Sequence, residues 1–102
     1  MGVGEYLGSP RWGNGEHMQT AYIVVPFERV GTRVGARQAM MVDAVNKALY
    51  LAQNLARQVP GVAVLERTED PETGDDVDTL LEGYGILPPA FPDGINWTVA
   101  LN

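Results

Sequence analysis

The sequence predicts a small α/β (α+β) domain. Its expected form is a two-layer sandwich, in which a three- or four-stranded mixed sheet carries one long helix on one face. Three stretches predict it. Residues 20–25 (Thr20, Ala21, Tyr22, Ile23, Val24, Val25) are a short apolar run rich in β-branched and aromatic side chains, which favours a strand. Residues 36–59 hold no Pro or Gly and are crowded with Ala, Leu, Met, Gln and Arg, all good helix formers. Residues 62–65 (Val62, Ala63, Val64, Leu65) repeat the strand composition. The predicted order is β-α-β-(short α or β)-β.

Both strand runs are continuously apolar rather than alternating. Each face of the pleat therefore carries apolar groups, and the sheet needs cover on both sides. Pro26 has no N–H to give, so it is expected at a strand end or an edge. Between strand and helix, residues 28–35 include Gly31 and Gly35, with Thr32 as the expected N-cap. Along the helix, Met41, Val45, Ala48, Ala52, Leu55 and Val59 recur at intervals of three and four and share a face. A helix over 36–59 would be roughly 36 Å long. Pro60 and Gly61 stop it. The strand–helix–strand order suggests a crossover between two parallel neighbours.

The segment that follows is acidic. Glu66, Glu69, Asp70, Glu72, Asp75, Asp76, Asp78 and Glu82 stand against Arg67 alone. Asp70, Pro71, Glu72, Thr73 and Gly74 are turn residues. Beyond them, Val77, Leu80, Leu81 and Tyr84 have helical spacing, so residues 75–84 read as a short helix capped by Asp75 or Asp76. The same residues also fit the return arm of a hairpin. Pro88, Pro89 and Pro92 then mark an extended loop, and residues 95–101 alternate as a C-terminal strand would. At the other end, residues 1–17 form a Gly-rich arm preceding a single domain at 18–102.

Composition narrows the function classes. A chain of 102 residues with a formal net charge of -6 repels phosphates, which argues against direct nucleic-acid binding. It has no cysteine, which removes disulfides, thiolate metal sites and a thiol nucleophile, and which suits the cytoplasm. No apolar run is long enough for a membrane span. Ser9, His17 and Lys47 are each the sole residue of their kind, so nucleophilic and metal-dependent mechanisms lack most of their parts. No cofactor motif is present. The arginine-rich basic set suggests a bacterial or phage source.

Three constellations remain. Gly31, Arg33, Gly35 and Arg37 could make an anion site, provided that the turn feeds a helix N-terminus. Asp70, Glu72, Asp75, Asp76 and Asp78 could form an acidic interaction surface, although their spacing does not match a calcium loop. Trp12 and Trp97 are candidates for the buried contact of a homodimer, since one helix cannot cover both faces of the sheet. The Gly-rich arm, the short acidic helix or a second copy could supply the missing cover. Three functions follow: a non-enzymatic module that binds a protein partner, an acidic nucleic-acid mimic, or a binder of anions and small molecules.

Overall fold

The computed structural model describes residues 19–93 and 95–99. The order is β1 (Gln19–Val30), β2 (Arg33–Ala36), β3 (Met40–Val42), α1 (Val45–Leu55), β4 (Gly61–Glu69) and β5 (Asp76–Gly85). The architecture is mixed α/β, with five strands rather than three or four. The sheet runs β2-β1-β4-β5, and β3 shares the outer side of β1 with β2. Every strand pair is antiparallel, so the expected mixed sheet is not formed.

Burial explains the centre. Val24, Val62 and Val64 point to one face and pack with Ala48 and Ala52 of α1. Ile23, Val25, Phe27, Ala63 and Leu65 point to the other face. All of these side chains are fully buried. The two central strands are therefore covered on both sides, as the apolar runs require. The short acidic helix expected as one possible second cover does not form, and the arm at 1–17 lies outside the described residues. Cover is supplied instead from the chain's C-terminal side, where the stretch 87–99 lays Leu87, Phe91, Ile95, Trp97 and Val99 over the face away from the helix. Phe91 meets Phe27 edge-on with ring centroids 5.0 Å apart, and Trp97 lies 5.9 Å beyond Phe91. Of the strand predicted over 95–101, the described residues 95–99 do not form a regular strand. Their ladder contact is one parallel bridge, Val99 to Ala39, beside a hydrogen bond from the Ala39 N–H to the Thr98 carbonyl.

The helix is much shorter than expected. It keeps Val45–Leu55 and ends short of Pro60, while Ala36 belongs to β2 and Met40–Val42 form β3. Tertiary burial overrides helix propensity here. Ala39 is fully buried on the face opposite α1, a position that one continuous helix could not reach. Thr32 is consequently no cap. It lies in the β1–β2 hairpin turn, where Gly31 adopts φ +65. The actual N-cap, Ala44, makes no side-chain capping bond.

Two further expectations change with this. The crossover exists, but α1 joins β3 to β4, which are parallel to each other on either side of β1. Pro26 sits inside a central strand rather than at its end, opposite Val62. Its carbonyl accepts from the Arg37 N–H at 2.8 Å, so its polar groups face the β2–β3 side. The missing N–H therefore falls at the break between those two short strands, between the paired stretches of β1 with β2 and with β3.

One close approach ties the layers together. A Cβ on Gly61 would run into the Ile86 carbonyl, and one on Gly85 would run into the Pro60 carbonyl. The Ile86 N–H also donates to the Pro60 carbonyl at 3.0 Å.

Candidate functional site

Residues 75–84 resolve the ambiguity left by the sequence. They are the return arm of a hairpin, not a helix. β5 pairs with β4 from Asp76 opposite Glu69 to Gly85 opposite Gly61. The turn is built by its own acids. The Asp70 carboxylate accepts from the Glu72 N–H at 2.9 Å, the Thr73 hydroxyl accepts from the Asp75 N–H at 3.2 Å, and Gly74 adopts φ +78. This is local side-chain capping of a tight turn.

The predicted acidic surface is therefore divided. Asp70 is spent on the turn. Asp78 lies opposite Arg67 and receives two hydrogen bonds from its guanidinium, at 2.7 and 3.0 Å. That pairing, more than any other contact, holds the guanidinium proton more tightly than usual, while burial acts the other way. The same guanidinium lies 5.6 Å from the centre of the Trp97 ring. Asp76 instead lies directly opposite Glu69, so two like charges face each other on one side of the sheet. Glu72 and Asp75 are exposed in the turn.

β5 is the outer strand of the sheet, and no described residue pairs with its far side. Its apolar side chains are unusually open, with Val77 58%, Leu80 41% and Leu81 40% exposed. A register shift at Val64 and Leu65 leaves Leu81 as the extra residue of a bulge. The backbone of this edge can be oriented from Pro26. Because Pro26 aims its polar groups away from β4, Val62 aims its own at β5. Alternation along β4 then commits Val77, Thr79, Glu82 and Tyr84 to the ladder. The N–H and C=O groups of Asp76, Asp78, Leu80, Gly83 and Gly85 point outward.

The other expected sites fall elsewhere. Gly31, Arg33 and Gly35 belong to the β1–β2 hairpin, and α1 begins only at Val45. The helix N-terminus on which the anion argument rested is not there. Arg37 lines a separate open cleft of about 460 Å³ at the β2–β3 break, together with Gln38, Gln58 and the apolar side chains of Pro26, Met40, Leu55 and Val59. Trp97 is half-buried and donates to the Pro92 carbonyl at 3.2 Å, so it serves the chain's own cover. Trp12, with the whole of the arm at 1–17, lies outside the described residues. Among the described residues, no three His, Asp or Glu side chains gather as a metal site would require. No helix among them is long and apolar enough to cross a membrane.

Sequence reasoning passed over Arg67, although a signal was present. Folding the chain about the 71–74 turn brings Arg67 onto Asp78 and Glu69 onto Asp76. Comparison with protein-family models, curated proteins and solved structures gives no match.

Proposed function

We propose that the chain is a non-enzymatic protein-interaction module, a small bacterial or phage-type accessory protein that engages its partner through β5. The observation that carries this reading is the open outer edge of β5 with Val77, Leu80 and Leu81 exposed along it. Exposed apolar side chains on an unpaired strand are a recurrent basis for protein recognition. The reading that the acids imitate nucleic-acid phosphates is less well supported. Asp70 and Asp78, two of the acids it needs, are already hydrogen-bonded within the hairpin.

The test is a paired capture from a cell lysate. One bait is the wild-type chain, and the other carries Val77→Lys and Leu81→Lys, which place the charge that natural edges use against pairing. Thermal melts of the two baits should agree, since both positions are exposed. A partner held by the wild type and lost by the variant supports the module. No partner on either bait, or equal capture by both, overturns it.

A further inference from the structure

The two faces of β5 differ in chemistry, and the difference specifies what can lie beside it. On the face away from α1, Asp76 and Asp78 are followed by Leu80 and then by Gly83 and Gly85. On the α1 face the sequence is Val77, Thr79, Glu82 and Tyr84. The first face has an unbalanced charge. Arg67 is bound to Asp78, yet Asp76 and Glu69 also act on it, so one cation stands among three carboxylates. Asp76 and Glu69 are themselves opposed across the strands. A positive group arriving at the outer edge beside Asp76 would relieve that repulsion. A second β5 could not do so, because it would bring further acids to the same edge. The outward N–H and C=O groups of Asp76, Asp78 and Leu80 lie within the same stretch.

From this charge pattern and the open ladder, and resting on the module reading above, we propose that β5 receives an extended segment of another protein in which lysine or arginine alternates with apolar residues. The basic residues of the segment lie beside Asp76 and Asp78. Its apolar residues lie beside Val77 and Thr79 on the α1 face. Main-chain bonds to Asp76, Asp78 and Leu80 supply the register, and the charge selects the sequence.

The experiment titrates the full chain with three blocked peptides, each the length of β5, and follows backbone amides by NMR and hydrogen exchange. The first alternates valine with lysine. The second alternates valine with glutamate. The third is the lysine peptide with its ladder-forming nitrogens methylated. In the free protein the amides of Asp76, Asp78 and Leu80 should exchange fast while those of Val77 and Thr79 are protected. The lysine peptide should slow the first set, lose affinity as salt is raised, and lose binding to Asp76→Lys. The glutamate and methylated peptides should leave the spectrum unchanged. Leu80→Pro removes an outward N–H without breaking a bond to β4 and should abolish binding, while Asp76→Lys keeps the backbone intact should the proline variant fail to fold.

Equal binding of the lysine and glutamate peptides overturns the charge selection. Binding of the methylated peptide overturns strand addition. Protection of the outward amides in the free protein, whether by the chain itself or by a second copy that sediments as a dimer, overturns the proposal as a whole. If no peptide binds while the lysine-substituted bait still loses its lysate partner, this inference fails and the module reading survives.

Discussion

On the α1 side of the sheet, Val24, Val62 and Val64 meet Ala48 and Ala52, all fully buried. On the opposite side, Phe27 meets Phe91, Trp97 stands behind them, and the covering chain has no regular structure. The helix places small residues, Ala48 and Ala52, at the fully buried centre and flanks them with the partly buried Leu49, Leu51 and Leu55. The irregular cover cannot approach as a cylinder does, so it reaches down with aromatic rings. At its centre the first face sets small helix residues against valines, whereas the second is filled by large aromatic rings. They should therefore fail under opposite insults, one to added atoms and the other to removed ones.

Phe27→Ala tests the second face and should have the largest effect. It removes a fully buried ring and its edge-on partner contact, at a cost of about 3–5 kcal/mol. Denaturant melts should show the midpoint collapse, or no folded baseline at all. Ala52→Leu tests the first face. The added methylenes have no space beneath α1, and a loss of about 1–3 kcal/mol is expected. If Ala52→Leu proves harmless while Phe27→Ala does not, the helix face is loosely packed and the contrast disappears.

Arg67→Met examines the rim of the aromatic face. It keeps much of the stem that lies near Trp97 but leaves Asp78, Asp76 and Glu69 without their cation. The pair retains 25% and 18% side-chain exposure, so solvent screening limits the loss to about 1 kcal/mol. That loss should shrink in high salt. Lys47→Ala, on the exposed surface of α1, should do least. The Lys47 ammonium, 2.9 Å from the Asp43 carboxylate, holds that carboxyl below its ordinary value, mainly through the hydrogen bond. A depressed carboxyl favours the fold above its unfolded-state value, and that contribution fades as pH falls through the folded-state value. In Lys47→Ala an NMR titration of Asp43 should move back up to the ordinary range, while the thermal melt barely changes because the pair is fully solvated.

These contrasts also show what could be read from the chain beforehand. The strands at 20–25 and 62–65 were legible as continuous runs of β-prone apolar residues and the centre of the helix by its spacing of three and four, although α1 ends at Leu55, short of the expected stop at Pro60. β2 and β3 were not. Each is too short to display alternation; Gly35 makes β2 read as a turn, and Met40 and Met41 make β3 read as helix. β5 misled for a definite reason. The bulge at Leu81 inserts one residue, which places Val77, Leu80, Leu81 and Tyr84 at the spacing of a helical face. The irregular cover had no period to detect. At the candidate site the acids were visible, but their division between turn, ion pair and edge depends on the pairing register. Trp97 stood out as an aromatic, yet its neighbours Phe91 and Arg67 are set by tertiary packing.

The mutual crowding of Gly61 and Gly85 has a mechanical consequence. The polypeptide leaving the helical layer and the polypeptide entering the aromatic layer are riveted at a single spot, through Pro60 and Ile86. Neither layer can peel away without straining the anchorage of the other. A methyl group at either glycine would pry at both halves of the interior together, so cooperativity between the layers is written into two residues that carry no side chain.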